Sequence, residues 1–224
     1  MDSLAGWTPE AVVFDCDGLL VDSEPCWTVA ETELFARYGL SFTMDYKAKL
    51  IGRSLPAAAL VMAELFGEPQ SSAARLETEL FALVTEVVSA QAEAMPGAGE
   101  LVAQIGNSVP VAVASNSPRA LLDAALTRGG FTGVFPVSIA ADEVSTPKPD
   151  PEMYHVACSR LGSNPERVLA FEDSMTGVAS ARAAGVRVVG VPTLKHDEFS
   201  ADAVVASLID PSLLRWVSEW SPAR

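Results

Sequence analysis

Apolar residues in this chain fall into two patterns: short unbroken runs, and longer stretches in which they recur at every third or fourth position. The first is what a strand buried on both faces requires, the second what an amphipathic helix requires. Ala11-Val12-Val13-Phe14 is the first such run. A long helical insert follows it. After Asp22-Ser23-Glu24-Pro25, residues Trp27, Ala30, Leu34 and Tyr38 recur at helical spacing and Gly39 supplies a stop. A second segment carries Ala58, Val61, Met62, Leu65 and Phe66 before Gly67, and a third has Leu76, Leu80, Leu83, Val84, Val87 and Val88 as one stripe with Glu77, Glu79 and Glu86 off it. Residues 21–92 thus predict a small helical bundle.

At Met95-Pro96-Gly97-Ala98-Gly99 the chain turns and a regular alternation begins. It predicts helix Leu101–Ile105, strand Val109–Ala114, helix Arg119–Arg128, strand Val137–Ala140 and helix Pro151–Leu161, then strand Val168–Phe171, helix Thr176–Ala184 and strands Arg187–Val191 and Ala203–Val205. Such a series builds a mostly parallel sheet with helices on both faces. The expected fold is therefore α/β, a core made of residues 1–20 and 93–224, with 21–92 inserted as a second domain. Ligands of such sheets bind beyond the carboxyl ends of the strands.

At 224 residues, 49% hydrophobic, the chain can bury a sizeable core. Its net charge of -14 and pI near 4.4 supply no basic patch for a phosphate backbone, so no nucleic-acid partner is expected, and an anionic surface avoids anionic membranes. No apolar stretch is as long as a membrane span, and residues 1–9 lack a basic region and an apolar signal core, which predicts a cytoplasmic protein. Cys16, Cys26 and Cys158 form no CxxC pair, so reduced thiols are expected rather than a disulfide framework or a zinc site.

The first strand ends in Asp15-Cys16-Asp17-Gly18. Alternation sends Asp15 and Asp17 to one side, where two anions repel unless a cation or a shared proton compensates them. A pair of solvated turn aspartates is the alternative. The next strand ends in Ser115-Asn116-Ser117-Pro118 and opens a helix whose free amides favour an anion; Ser115 could hold a phosphate oxygen, or Ser117 or Asn116 could serve as an ordinary N-cap. Lys148 sits among prolines in Thr146-Pro147-Lys148-Pro149-Asp150-Pro151, either an anchored phosphate contact or a solvated charge. Glu172-Asp173 forms a second acidic pair at a strand tip, and hard oxygen ligands from Asp15, Asp173 and Glu172 suit Mg²⁺, although Asp173-Ser174 could also be a helix cap. Gly97-Ala98-Gly99 lacks the third glycine and the preceding strand of a dinucleotide fingerprint, and Asp142-Glu143 reads as a solvated acidic loop.

Taken in order, Asp15-Cys16-Asp17-Gly18, Ser115, Lys148 and Glu172-Asp173 resemble the four motifs of the haloacid dehalogenase superfamily, in the branch with a helical cap inserted after the first strand. The resemblance implies a Rossmann-like core with the cap at 21–92, Mg²⁺ dependence and phosphoryl transfer through an aspartyl-phosphate. Carried onto this chain, Asp15 is the nucleophile and Asp17 the general acid and base. Ser115 and Lys148 hold the transferring oxygens. Mg²⁺ is bound by Asp15, Asp173, Glu172 and the Asp17 backbone carbonyl, and Gly18, Asn116, Arg53 and Glu24 meet the substrate. An acid two residues after the nucleophile favours phosphate esters over carbon–halogen bonds. β-Phosphoglucomutase shares the motifs, but a histidine on the first cap helix and a Lys-Gly-x-x-Arg run are replaced here by Trp27 and Ile51-Gly52-Arg53-Ser54-Leu55. The expected activity is therefore a phosphatase acting, as a monomer, on a small phosphorylated metabolite. A mutase, and a binding module without catalysis, are the alternatives. Arg53 is either a cap contact, reached because Gly52 permits close approach, or a surface arginine. Trp27 is expected to pack within the cap, and His155 and His196 are given no role.

Overall fold

A computed structural model describes residues 1–50, 53–193 and 199–220 of the protein. Ile51, Gly52 and His196 lie outside the described residues. The chain divides into two compact units, one formed by Met1–Asp22 with Glu93–Arg224 and the other by Ser23–Ala92. No helix among the described residues is long and apolar enough to cross a membrane.

The chain enters the first unit through β1 (Ala11–Phe14) and β2 (Val21–Asp22), then builds the second from α1 (Glu24–Arg37), α2 (Met44–Leu50), α3 (Leu55–Leu65) and α4 (Ala73–Gln91). In α4 the expected stripe of Leu76, Leu80, Leu83, Val84, Val87 and Val88 is wholly buried. In α1 the buried face is Cys26, Ala30, Glu31, Leu34 and Phe35, so Trp27 and Tyr38 are only half-buried. Phe35 turns that face inward because it lies against the rings of Phe42, Tyr46 and Phe66, at 4.9, 5.2 and 4.8 Å between centroids.

Helix α2 has no counterpart among the expected elements, because its inward face carries a charge. Lys47 is buried and its Nζ lies 2.9 Å from Glu31 Oε2 and 2.7 Å from Glu24 Oε1. Burial works against the ammonium, but the two carboxylates outweigh it and raise the Lys47 pKa; burial also raises that of Glu31, with Lys47 opposing. Lys47→Ala strands the Glu31 carboxylate. We expect it to cost about 3 kcal/mol, the lower end for a broken buried pair because Glu24 is solvated. Urea denaturation of the variant checks this, and Glu31→Gln in the same background should recover part of the loss.

The chain returns through β3 (Glu93–Ala94), which pairs antiparallel with β2. It continues as α5 (Ala98–Gly106), β4 (Val111–Ala114), α6 (Arg119–Arg128), β5 (Val137–Ile139), α7 (Glu152–Leu161), β6 (Val168–Glu172), α8 (Met175–Ala183), β7 (Arg187–Gly190), β8 (Ala203–Val204) and α9 (Pro211–Ser218). Six strands form a parallel sheet in the order β5-β4-β1-β6-β7-β8. Winding diverges to either side of β1, so the crevice of the sheet opens at the ends of β1, β4 and β6. β4 begins later than expected because Pro110 has no N–H for the ladder; its carbonyl still accepts Val12 N at 2.9 Å. Ala11, Val13, Ala112, Ala114, Val168 and Ala170 pack with Tyr154, Ala157 and Val178 of α7 and α8. Phe14 stacks on Phe171, with ring centroids 5.1 Å apart. Both sheet faces are therefore dry, which is why these strands read as unbroken apolar runs.

Candidate active site

The backbone ends of β1, β4 and β6 bring together residues separated by more than a hundred positions. The Asp15 amide donates to Phe171 O at 3.0 Å, which holds the tip of β1 against β6. Beyond it the chain turns tightly: Cys16 O accepts the amides of Leu19, Leu20 and Val21, and Gly18 adopts φ +79. A side chain at Gly18 would collide with Asp173 Oδ2 as well as straining the turn. Gly18 thus lets the acidic tip of β6 approach the acidic tip of β1.

Lys148 is the cation between them. Its Nζ donates to Asp15 Oδ1 at 2.6 Å, Glu172 Oε1 at 2.6 Å and Ala114 O at 2.7 Å, which uses all three ammonium hydrogens. Burial opposes the charge on Lys148, but Asp15 and Glu172 override it and hold its pKa above the ordinary lysine value. Asn116 fixes the Lys148 backbone. The Lys148 amide donates to Asn116 Oδ1 at 2.9 Å, and Asn116 Nδ2 donates to Lys148 O at 3.0 Å. Both ends of the Asn116 amide are engaged, so this residue, expected to meet the substrate, clamps the Lys148 backbone.

Asp17 faces different partners. Its Oδ2 accepts from Ser115 Oγ at 3.0 Å and Ser117 Oγ at 2.8 Å, while the Ser117 amide donates to Ser115 Oγ at 3.0 Å. Ser115, expected to hold a phosphate oxygen, here orients the second aspartate. Ser117 is neither a free hydroxyl nor a cap. The first amide of α6, Arg119 N, is capped at 2.8 Å by Asp142 Oδ1, and Glu143 pairs with Arg119 at 2.6 Å, so the pair read as a solvated acidic loop braces that helix.

Glu172 and Asp173 complete the cluster. Glu172 is fully buried, takes Lys148 and the Tyr154 hydroxyl on Oε1, and leaves Oε2 without a hydrogen-bond partner among the described residues. Its carboxylate lies where a Cβ on Gly177 would fall, so the glycine in the first turn of α8 makes its room. Asp173 Oδ2 accepts from Thr193 Oγ1 at 2.9 Å. Burial, then the neighbouring Glu172 charge, pushes the Asp173 pKa up to about 7. Burial likewise raises that of Asp15 well above the carboxylate range, with Lys148 opposing and the other acids reinforcing.

Asp15, Glu172 and Asp173 each offer an oxygen within 4.8 Å of the others. Three carboxylates against one ammonium leave two negative charges, which a divalent cation would balance. The orphaned Glu172 Oε2, the hard oxygen donors and the raised proton affinity of two of the acids all fit Mg²⁺. Tyr154, Thr193 and Gly177 belong to this constellation and were not singled out in the sequence, and Ser117, read there only as an N-cap, belongs to it through Asp17. Only their three-dimensional partners mark them. Glu24 and Arg53 belong to the helical unit, where Glu24 meets Lys47 at 2.7 Å and Arg53 Nε donates to Lys49 O at 2.6 Å at the end of α2.

A family model for haloacid dehalogenase-like hydrolases matches residues 9–185. The chain is 34% identical to validoxylamine A 7'-phosphate phosphatase of Streptomyces hygroscopicus subsp. limoneus, covering 92% of this chain and 96% of that one. It is 30% identical to a phosphorylated carbohydrates phosphatase of Thermotoga maritima, covering 90% and 94%. Among solved structures, CbbY from Rhodobacter sphaeroides in complex with phosphate superposes with a TM-score of 0.79 at 25% identity, covering 94% of this chain and 100% of that one. The matched relatives also include a longer protein, 31% identical, of which the chain spans 55%.

Proposed function

The chain belongs to the haloacid dehalogenase-like hydrolases, and on that premise we propose that it is a Mg²⁺-dependent phosphatase that hydrolyses a small phosphorylated metabolite, a sugar phosphate or similar, through an aspartyl-phosphate on Asp15. The observation that carries this reading is the buried Lys148 ammonium spanning Asp15 and Glu172, beside a third carboxylate, Asp173. Relatives that act on phosphorylated small molecules support the substrate class. Trp27 and Ile51, in place of the mutase basic groups, favour hydrolysis over phosphoryl return.

Each residue has work that its surroundings support. Asp15 attacks phosphorus in line, forming the Asp15–phosphorus bond as the bond to the leaving oxygen breaks. Asp17, held by Ser115 and Ser117 through Oδ2, gives the leaving oxygen a proton and then takes one from the water that cleaves the acyl phosphate. Lys148, 2.6 Å from Asp15 Oδ1, supplies positive charge beside the transferring oxygens, and the Ser115 hydroxyl, which donates to Asp17 at 3.0 Å in the free site, turns to those oxygens when the phosphate enters, because phosphoryl transfer depends mainly on positioning and electrostatics. Asp15, Glu172, Asp173 and the Asp17 carbonyl would hold Mg²⁺, which supplies positive charge to the phosphoryl oxygens. Within the same proposal residues 21–92 form the cap that carries Glu24 and Arg53, and the protein is a cytoplasmic monomer without nucleic-acid or membrane partners.

The test is release of phosphate from p-nitrophenyl phosphate. Activity should vanish with EDTA and return with Mg²⁺; metal-independent hydrolysis, or none under any condition, contradicts the proposal. A pH effect follows from Asp173. Its folded pKa of about 7 lies above the unfolded value of 3.8, so the metal-free fold takes up a proton in that window and loses stability as pH rises through it. Asp173 would give up that proton on holding Mg²⁺. The rise in Tm on adding Mg²⁺ should therefore be larger at pH 8 than at pH 5.

A further inference from the structure

Tyr154 is a fully buried residue of α7 with a hydroxyl in an otherwise apolar cluster. A phenol there needs a partner, and its O–H donates to Glu172 Oε1, the oxygen that also accepts Lys148 Nζ at 2.6 Å. The same ring lies under the ammonium, 5.3 Å from Nζ to the centroid. Two donors from different elements converge on one carboxylate oxygen, which fixes the rotation of the Glu172 head. The other oxygen, Oε2, is left buried with no hydrogen-bond partner among the described residues.

We propose that Tyr154 is a positioning residue for the divalent cation: by occupying Oε1 together with Lys148, it keeps Glu172 Oε2 as the oxygen free for the metal. This rests on the Mg²⁺-dependent reading above. Outer-shell partners of metal-binding carboxylates act in this way, fixing the orientation of the ligand without touching the ion. Tyr154 differs from Lys148 in carrying no charge, so removing its hydroxyl disturbs the orientation of Glu172 and leaves the charge balance of the site intact. The phenyl ring of Tyr154→Phe keeps the packing against the core.

The test is calorimetric titration of the substrate-free protein with Mg²⁺ alone, paired with steady-state hydrolysis of p-nitrophenyl phosphate. Tyr154→Phe should weaken the Mg²⁺ Kd by about tenfold, as loss of an outer-shell partner does. It should raise the Mg²⁺ concentration needed for half-maximal rate while changing kcat at saturating Mg²⁺ little. Because Tyr154 acts through Glu172, the same substitution in a Glu172→Gln background should add no further loss of affinity. An unchanged Kd in Tyr154→Phe, or an equal loss in both backgrounds, overturns the assignment while leaving the phosphatase reading standing if the parent binds Mg²⁺ and hydrolyses. A parent that neither binds Mg²⁺ nor hydrolyses overturns both.

Discussion

Asp15→Asn should abolish phosphatase turnover, with a loss on the order of 10⁴–10⁶-fold, because it removes the attacking oxygen and no other group can form the covalent bond. The fold should survive. Asn Oδ1 can still accept from Lys148 Nζ, which now lies 2.6 Å from Asp15 Oδ1, and the substitution removes one of the carboxylates whose charge burial disfavours. Thermal unfolding of the variant should thus resemble that of the parent, which separates lost chemistry from lost structure. Substantial hydrolysis by this variant would place the nucleophile elsewhere.

Lys148→Met should damage both fold and function. The methionine fills the volume of the lysine stem but leaves Asp15 and Glu172 buried without their shared cation. Removing one partner of a buried pair costs about 3–5 kcal/mol. In a chain of this length each kcal/mol moves Tm by about 2–4 °C, so a fall of roughly 6–20 °C is expected. The sign of the pH dependence is also fixed. Burial already raises the Asp15 pKa and Lys148 holds it down, so without the ammonium Asp15 takes up a proton more readily and the defect should deepen as pH rises from 5 to 8. Activity should fall by at least about 10²-fold through loss of charge stabilisation of the transferring oxygens. Scanning calorimetry at the two pH values, alongside the assay, measures both effects; a variant as stable as the parent at pH 8 would mean that the ammonium does not hold the two acids together.

The parts of this site that could be read in the sequence are those whose function follows from residue type at a strand end. Asp15, Asp17, Lys148 and Glu172-Asp173 each terminate or follow a predicted strand, and a parallel sheet gathers strand ends by its topology. The parts that could not be read depend on partners distant in sequence. Asn116 carries no mark that its amide will close on the Lys148 backbone, and Tyr154 looks like one more core residue until Glu172 is placed beside its hydroxyl. Helix α2 was hidden by the buried Lys47, which breaks the apolar pattern. β2 and β3 are too short to show a period. Helix α9 is a different case, since Asp210 and Pro211 at its start and the buried Leu213, Trp216 and Val217 are a helix signal in plain view.

The central claim is that phosphorus passes through Asp15, and trapping the acyl phosphate tests it most directly. p-Nitrophenolate needs little help to depart, whereas the hydrolytic water needs a base, so Asp17→Asn should accumulate the intermediate on this substrate. Acid quenching, borohydride reduction and peptide mapping should then find homoserine in place of Asp15, dependent on both Mg²⁺ and substrate. Turnover by the parent with Asp15 unmarked in parent and variant alike, or with another carboxylate reduced in its place, would contradict the account.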